Sequence, residues 1–358
     1  MIPSYDKIHN RFRINGSSYS REELREVAYS HVKEGLEYEK AIGDFLIDWL
    51  NDKDHVIVST SGSTGQPKKI KLNKQAMVHS AIATGDFFGL KPGDTALHCL
   101  PTQYIAGKMM LVRAMILGMD IDLTEPTSQP IFDYDRTYDF CAMIPLQLQK
   151  TKLYCGNIKT IIVGGASVSS NLKDAIQGIS SMVYETYGMT ETMTHIALKK
   201  LNGFYNEQQE SNSYFRTLPN IKVSQDDRDC LIIIAPYLSK TNFITNDLVK
   251  LYSENEFEWL GRYDNIINSG GVKLIPEQIE LALSESILQR FFISKETDES
   301  LGERVILIVE GKKSGLNPKA FDGLNKYQIP KAVYFIDAFS ESENGKVLRQ
   351  ETLDRISK

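Results

Sequence analysis

The sequence lacks the clustered cysteines and histidines that mark metal-binding or disulfide-stabilised domains. Its 358 residues include six histidines and four widely scattered cysteines, with no C-x-x-C pair; the cysteines are Cys99, Cys141, Cys155 and Cys230. This spacing argues against a structural zinc site. Free thiols in a chain of this length are typical of a reducing compartment.

Long hydrophobic runs and an excess of one charge are also missing. The first residues, MIPSYDKIHNRFR, contain no apolar core of a secretory signal. The longest apolar run, around 231–236, is far shorter than the roughly 20 residues that span a bilayer. Lys plus Arg number 41 against 46 Asp plus Glu, a net charge of −5, which argues against a nucleic-acid partner. We therefore expect a cytoplasmic protein with no integral membrane segment.

The sequence does contain the composition and patterning of a globular α/β protein. Hydrophobic residues make up 42%, enough for a full core, and the length predicts two domains or three. Ser20 and Glu23 have the spacing of a helical capping box. Strands are predicted at 56–58, 95–100, 140–144, 158–163 and 182–184, and helices at 38–50, 74–88, 108–117 and 172–178. Their alternation predicts a largely parallel sheet with helices on its faces.

The C-terminal third has a different pattern. Residues 231–259 are predicted to form antiparallel strands, with 231–234 fully buried. A polar segment with glycines follows at 261–271, and mixed helices and strands lie beyond it: helices near Pro276 and Pro318 and strands at 304–309 and 332–336. We place a large domain at 1–263 and a small domain at 264–358.

Four segments have residue types suited to binding a phosphorylated ligand. The first is a loop with two glycines, four hydroxyls and a lysine: Thr60, Ser61, Gly62, Ser63, Thr64, Gly65 and Lys68. Its backbone amides and hydroxyls could surround phosphate oxygens. It is not a Walker A motif, because Pro67 stands where that motif needs glycine. Taken alone, such a loop is as well explained as a mobile connection.

The other three segments are also ambiguous when taken singly. Gly164, Gly165 and Ala166 follow a predicted strand, where α/β sheets bind ligands, but a tight turn explains them equally well. Glu191 could hold Mg²⁺ or be an ordinary surface charge. Asn344-Gly345 predicts a hairpin tip that carries Lys346, a residue that could stabilise developing phosphate charge or simply be solvated.

Taken in order, these segments resemble the motifs of the adenylate-forming superfamily of acyl-CoA ligases, nonribosomal adenylation domains and luciferases. The loop at 60–68 resembles its phosphate loop. The further matches are Tyr187-Gly188-Met189-Thr190-Glu191, Asp247, the hinge motif Gly261-Arg262-Tyr263-Asp264 with Gly270-Gly271 and Pro276, and Asn344-Gly345-Lys346 with Arg349. Five motifs in the correct order make the resemblance specific.

The resemblance implies a fold, a set of ligands and a role for each matched residue. The fold would be α/β, with a mixed, largely parallel sheet flanked by helices in the large domain and a small mobile α+β C-terminal domain. The ligands would be ATP, Mg²⁺, coenzyme A and a small carboxylic acid. The loop at 60–68 would bind the β- and γ-phosphates, together with Thr190 and, through Mg²⁺, Glu191.

The remaining matched residues would complete the nucleotide site and the moving parts. Adenine would be held by Gly164, Gly165, Ala166, Tyr187, Gly188 and Met189, and ribose by Asp247 and Arg262. Lys346 would bridge the α-phosphate and the attacking carboxylate. The small domain would turn about Asp264, and Gly270 and Gly271 would approach the pantetheine channel.

Within the superfamily, the chain most resembles the o-succinylbenzoate–CoA ligases of menaquinone biosynthesis. The segment from Leu100 to Arg113 resembles their Leu-Pro-x-x-His-x-x-Gly stretch with its following arginine. The acyl pocket would then include Tyr104, Gly107, Arg113 and His195, with Lys108 as a further candidate partner for a second carboxylate.

Three departures from the superfamily pattern stand out. Only 59 residues precede the phosphate loop, so we expect a truncated first subdomain. Tyr104 stands where the family often has histidine, and Asn246 replaces the usual glycine before the ribose-binding aspartate.

The expected activity is the two-step formation of a CoA thioester through an acyl-adenylate. Three alternatives stay open: another aryl- or acyl-CoA ligase, an adenylation enzyme that loads a carrier protein, and a nucleotide-binding relative without catalysis. The assembly is open as well, with a homodimer among the options.

Overall fold

The computed structural model describes residues 2–59, 69–204, 214–312, 318–341 and 347–356. The chain divides into two compact units, one of residues 1–222 with 234–242 and one of residues 223–233 with 243–358. Within the described ranges, no helix combines the length and apolar character needed to cross a bilayer.

Six helices are described in the first unit. They are α1 (Arg21–Glu34), α2 (Glu37–Leu50), α3 (Lys74–Phe88), α4 (Ile105–Leu117), α5 (Pro145–Thr151) and α6 (Ser170–Ala175). The predicted capping box at α1 is confirmed, because the Ser20 hydroxyl accepts a hydrogen bond from the Glu23 amide and the Glu23 carboxylate accepts one from the Ser20 amide. The helix predicted at 172–178 is shorter than expected and ends at Ala175.

A mixed sheet forms the centre of the first unit. The strands of this unit are β1 (Arg13–Ile14), β2 (Ser17–Ser18), β3 (His55–Ser59), β4 (Lys69–Asn73), β5 (Thr95–His98), β6 (Asp120–Leu123), β7 (Tyr138–Met143), β8 (Ile158–Val163), β9 (Met182–Gly188), β10 (His195–Lys200) and β11 (Phe215–Thr217). Nine of them follow the order β11-β10-β9-β8-β7-β5-β6-β1-β2. All pairings from β9 through β8, β7, β5 and β6 to β1 are parallel. The predicted largely parallel sheet with helices is confirmed.

The core of the first unit lies against these central strands. One face is covered by a cluster that includes Leu97, Ile161 and Val183. Cys99 and Cys141 belong to the same cluster as free thiols, with their sulfur atoms 3.9 Å apart. Buried thiols of this kind pack as small apolar side chains.

The second unit has nine described strands and two helices. They are β12 (Lys222–Gln225), β13 (Cys230–Ile234), β14 (Phe243–Ser253), β15 (Glu256–Arg262), β16 (Ile267–Ser269), β17 (Val272–Leu274), β18 (Phe291–Asp298), β19 (Gly302–Glu310), β20 (Ala332–Ile336), α7 (Pro276–Leu283) and α8 (Arg349–Asp354). β13, β14 and β15 pair antiparallel, as predicted. A second sheet has the order β17-β16-β19-β18, with β20 parallel to β19.

Two expectations for this part of the chain are wrong. Leu231 and Ile233 are buried, whereas Ile232 and Ile234 are partly exposed, as is common in antiparallel sheets that pack one face on a core and leave the other face in contact with solvent. The segment near Pro318 forms a 3₁₀ turn over Pro318–Phe321 instead of an α-helix.

The division of the chain into two compact units does not coincide with the predicted domain boundary at 263/264. Strands β13 to β15 belong to the same compact unit as the C-terminal residues. One reason is that α7 lies against β15, where the Gln278 side chain donates to the Leu260 carbonyl oxygen. The mobile domain at 264–358 stays a prediction.

Candidate functional site

The predicted phosphate loop at 60–68 and Lys346 lie outside the described residues. The residues on either side of the loop are described. Ser59 and Lys69 pair as the last rung of the antiparallel β3–β4 ladder. On either side of 342–346, Glu341 and Val347 form an isolated antiparallel bridge.

The predicted adenine residues meet at the carboxyl ends of β8 and β9. These strands pair in parallel, with Val163 opposite Glu185, so the loop after β8 lies beside the end of β9. A Cβ at Gly164 would overlap the Thr186 hydroxyl, and Gly165 has a φ of +85°, a conformation that favours glycine. The Tyr187 ring is partly buried and its centroid lies 5.8 Å from that of Phe215. The structure therefore brings a glycine loop and an aromatic ring to one edge.

The segment after Tyr187 forms a tight turn that Thr192 holds together. Its buried hydroxyl accepts from the Met189 amide at 3.1 Å and lies 2.7 Å from the Thr194 carbonyl oxygen. Thr190 and Glu191 belong to a 3₁₀ turn, and the Glu191 side chain is exposed. The hydrogen bonds of Thr192 therefore fix the backbone on both sides of Glu191, from Met189 to Thr194.

Arg113 and His195, two of the predicted acyl-pocket residues, are in contact. Arg113 lies on α4 with 1% of its surface exposed. Its Nη2 lies 3.4 Å from His195 Nδ1 and donates to the Thr194 hydroxyl at 3.1 Å. Its Nε donates to the Thr84 hydroxyl of α3 at 3.3 Å. The guanidinium thus joins two helices and the start of β10.

Every one of these partners is electrically neutral. No aspartate or glutamate of the described ranges pairs with Arg113, and burial lowers its pKa to about 9. Burial, and secondly the positive charge of Arg113, hold the pKa of His195 well below its usual value, so the imidazole is uncharged. A buried cation without a counter-charge is costly and is suited to receive an anionic group.

Lys108 has a different role from Arg113. Its ammonium group donates to the carbonyl oxygens of Thr102 at 2.5 Å and Gln103 at 3.3 Å and lies over the Phe45 ring. Burial lowers its pKa to about 8. Lys108 therefore holds the loop that leads to Tyr104, the residue before the start of α4, and its described contacts are structural.

Gly107 is required by the close approach of the same loop. A Cβ at this position would overlap the Pro101 carbonyl oxygen and lie 2.9 Å from Thr102 Cα. In an ordinary helix, alanine is more stable than glycine by about 1 kcal/mol. We expect Gly107→Ala instead to lower the free energy of unfolding by about 1–3 kcal/mol, because backbone must move. Denaturant unfolding measures this.

A matched control is Gly178→Ala, since a Cβ there meets nothing within 4 Å. That variant should unfold like the parent protein. A Gly107→Ala variant more stable than the parent would contradict the predicted overlap.

His98, at the end of β5, predicts acid sensitivity. It is 1% exposed, its Nε2 lies 2.9 Å from the Thr102 hydroxyl, and its Nδ1 has no hydrogen-bond partner among the described residues. Burial lowers its pKa from 6.5 to about 4. Because the folded-state pKa is the lower one, its contribution to stability is present above about pH 6.5 and is lost as the pH falls towards 4, by about 3 kcal/mol.

The measurement is the free energy of unfolding of the parent protein and of His98→Gln from pH 7.5 to 4.5. The parent protein should lose stability faster, so the two curves converge towards low pH. His195 contributes equally to both proteins and cancels in the difference. Curves that stay parallel would show that His98 is not the titrating group.

The predicted ribose residues lie together in the second unit. Asp247 on β14 is directly opposite Arg262 on β15, with 3.8 Å between Arg262 Nη1 and Asp247 Oδ1. Trp259 Nε1 donates to the same carboxylate oxygen at 3.1 Å. Arg262 also pairs with the predicted hinge residue Asp264 at 2.6 Å. Asn246, the departure from the family pattern, accepts a hydrogen bond from Arg228.

Gly270 and Gly271 form the two-residue turn between β16 and β17. Their φ angles are +59° and +82°, and Ser269 pairs with Val272 across the turn. Positive φ at both central positions matches the right-handed twist of the strands and favours glycine. The turn is therefore defined by backbone conformation, independently of any role in a channel.

The segment after Lys346 is anchored to the rest of the second unit. Arg349 Nη2 pairs with Glu280 of α7 at 2.8 Å, and the other carboxylate oxygen of Glu280 accepts from the Ile293 amide. Burial raises the pKa of Glu280, against the opposing effect of Arg349. This ion pair links two of the matched motifs, at Pro276–Leu283 and at Arg349.

Sequence reasoning missed Thr84 and did not assign Thr194. Thr84 lies 29 positions before Arg113 and 111 before His195, so no local spacing connects them. The only sign of Thr84 in the sequence is that it is a polar residue in an otherwise apolar part of α3. A threonine that simply bonds its own helix would give the same sign.

Comparisons with known proteins all find AMP-binding enzymes and CoA ligases. A family model described as AMP-binding enzyme matches residues 24–230. A 2-succinylbenzoate–CoA ligase of Lactococcus lactis subsp. lactis is 25% identical over 331 residues, covering 85% of this chain and 72% of that protein. The acyl-CoA synthetase (AMP-forming)/AMP-acid ligase II-like protein from Dyadobacter fermentans is 34% identical with a TM-score of 0.61, over 93% of this chain and 98% of that one.

One further solved structure shows the same fold. O-Succinylbenzoate coenzyme A synthetase from Bacillus subtilis, in complex with the acyl-adenylate intermediate, has a TM-score of 0.70. It is 20% identical, over 82% of this chain and 68% of that chain.

Proposed function

Because the chain belongs to the family of AMP-binding enzymes, we propose that it is an ATP-dependent carboxylate–CoA ligase. Its acid substrate is o-succinylbenzoate, as in menaquinone biosynthesis. The name of the Lactococcus relative and the segment from Leu100 to Arg113 both support this substrate.

The observation that carries the substrate proposal is the buried, uncompensated charge of Arg113. The acid has two carboxylates, of which only one reacts, so the other needs a partner in the pocket. Arg113 is surrounded by neutral groups and has no acidic partner in the described ranges. A substrate carboxylate would supply the missing charge through charge-assisted hydrogen bonds. Lys108 is a weaker candidate, because its ammonium group is already bound to backbone carbonyls.

The other matched residues bind the nucleotide. Adenine is bound by Gly164, Gly165, Ala166, Tyr187, Gly188 and Met189, and the β- and γ-phosphates by the loop at 60–68 with Thr190. Asp247 and Arg262 bind ribose, and the two side chains are already paired with each other without a nucleotide.

Glu191 fits a magnesium ion that ATP itself helps to hold. Its carboxylate is exposed, and the described residues contain no cluster of three acidic, histidine or cysteine side chains that would enclose a metal. Mg²⁺ usually keeps several waters and takes one or two protein carboxylates together with substrate phosphates. When bound, the ion neutralises charge on the phosphate oxygens.

The reaction has two half-reactions. A carboxylate oxygen of the acid attacks the α-phosphorus of ATP, and the bond to pyrophosphate breaks. The thiol of coenzyme A then attacks the acyl carbon, and AMP leaves with the bonding electron pair. The first step depends on positioning and on stabilising negative charge. Lys346 supplies the positive charge for this, between the α-phosphate and the attacking carboxylate.

The test is pyrophosphate release and thioester formation with a panel of acids. We expect fast turnover with o-succinylbenzoate, ATP and coenzyme A, and slow turnover with benzoate and acetate. Pyrophosphate release without thioester would favour a carrier protein as the acceptor. ATP binding without pyrophosphate release for any acid would refute the ligase proposal and favour a regulatory nucleotide-binding protein. The cytoplasmic location and the homodimer stay predictions.

A further inference from the structure

The hydrogen bonds around Thr84 determine which atom donates in each contact. Its hydroxyl donates to the Ser80 carbonyl oxygen of the preceding helical turn at 3.1 Å. Arg113 Nε donates to the same oxygen at 3.3 Å, and His195 Nε2 lies 3.4 Å away. A hydroxyl has one donor and two acceptor positions. The donor is used on Ser80, so His195 Nε2 must carry a proton and donate to Thr84.

This assignment determines the tautomer of His195. With the proton on Nε2, a neutral imidazole has its lone pair on Nδ1. Nδ1 lies 3.3 Å from the Thr194 hydroxyl and 3.4 Å from Arg113 Nη2, both of which can donate. His195 is 5% exposed and has acceptable partners at both ring nitrogens. Thr84 therefore orients the imidazole so that its lone pair faces the guanidinium.

The same contacts orient the guanidinium of Arg113. Nε and Nη2 are bound to Thr84, Thr194 and His195. Nη1 contacts only the Met110 sulfur at 3.7 Å in the described part of the chain, and a thioether is a weak acceptor. A carboxylate that binds Nη1 would therefore replace only this weak contact with Met110 and leave the oxygen and nitrogen partners of Nε and Nη2 in place.

We propose that Thr84 and His195 are positioning residues that orient Arg113 so that its Nη1 edge binds the second carboxylate of the substrate, and thereby determine selectivity for dicarboxylic over monocarboxylic acids. This inference rests on the proposed function. Neither residue touches the reacting atoms, and both act through Arg113.

The experiment compares KM and kcat for o-succinylbenzoate and benzoate in four variants. Thr84→Val keeps the shape of the side chain and removes the oxygen that accepts from Arg113 and His195. Thr84→Ser restores that oxygen. His195→Leu removes the lone pair, whereas His195→Gln offers an amide oxygen and an N–H in similar positions. A Thr151→Val variant is the matched control. Thr151 is also fully buried and its hydroxyl also donates to a carbonyl oxygen of its own helix, that of Gln147, but it makes no described hydrogen bond to Arg113.

Thr84→Val and His195→Leu should raise KM for o-succinylbenzoate by about ten- to hundredfold, because hydrogen bonds to a charged group are lost. kcat should change little, since uniform binding is reduced, and the rise in KM for benzoate should be much smaller than the rise for o-succinylbenzoate. Thr84→Ser and His195→Gln should recover most of the lost affinity, and Thr151→Val should behave like the parent enzyme.

Two results would overturn the inference and leave the proposed function intact: unchanged KM for o-succinylbenzoate in Thr84→Val, or an equal loss with both acids. If the parent enzyme turns over no dicarboxylic acid, the proposed function fails and this inference fails with it. Thermal unfolding of each variant shows whether a loss comes from the fold, and Thr84→Val, being isosteric, is expected to remain folded.

Discussion

Arg113→Met should lower kcat/KM for o-succinylbenzoate by roughly 10²–10³-fold, since a buried, hydrogen-bonded charge pair loses one partner. Turnover of benzoate, which has no second carboxylate, should stay at the parent level. The measurement is steady-state kinetics with both acids. Selectivity between the two acids should therefore collapse.

The same substitution should have the opposite effect on stability. In the absence of substrate, Arg113 is a buried cation among neutral partners. Replacing buried charges by apolar side chains of similar volume is often neutral or stabilising. We expect the free energy of unfolding of Arg113→Met to equal or exceed that of the parent protein, measured by denaturant unfolding without ligands.

Two further variants separate charge from packing. Arg113→Lys keeps the charge and loses the planar set of donors, so its selectivity should lie between the parent and Arg113→Met. Met115→Leu changes another fully buried residue of α4 and should leave selectivity unchanged. Equal losses with both acids in a folded Arg113→Met protein would contradict Arg113 as the partner of the second carboxylate. An unfolded Arg113→Met protein would contradict the predicted effect on stability.

Lys346→Ala should separate the two half-reactions. Loss of one preorganised donor to developing charge costs roughly 10²–10³ in rate, and we expect a loss of at least this size in pyrophosphate release. Conversion of supplied acyl-adenylate to the thioester should continue. In this second step no carboxylate attacks ATP, so the charge that Lys346 stabilises does not arise. The assay follows each half-reaction separately.

The control is Lys331→Ala, which removes an exposed lysine from the same unit and should retain both half-reactions. Lys346 lies outside the described residues, but its flanks are ordered by the Glu341–Val347 bridge and by the Arg349–Glu280 ion pair. An equal loss of both half-reactions in Lys346→Ala would refute a role restricted to adenylate formation.

Local interactions explain why much of the fold could be predicted. The capping box of α1 depends on two residues three positions apart, and the parallel direction of the central strands follows from their alternation with helices. The predictions failed where burial depended on a partner element. Ile232 and Ile234 belong to a continuous apolar run, yet only one face of their strand meets a core.

The sequence by itself determined which residues match the motifs of the family, because each motif is a short local pattern: glycines after β8, Tyr187 near the end of β9, Glu191 in the turn that follows, and Asp247 within β14. Tertiary structure alone decided which side chains surround Arg113. Thr84, Arg113 and His195 come from two helices and a strand, and the distances between them along the chain leave no periodic signal. Only packing brings them within hydrogen-bond distance. It also shows that Lys108 is bound to backbone carbonyls, whereas Arg113 has neutral partners and no acidic partner among the described residues.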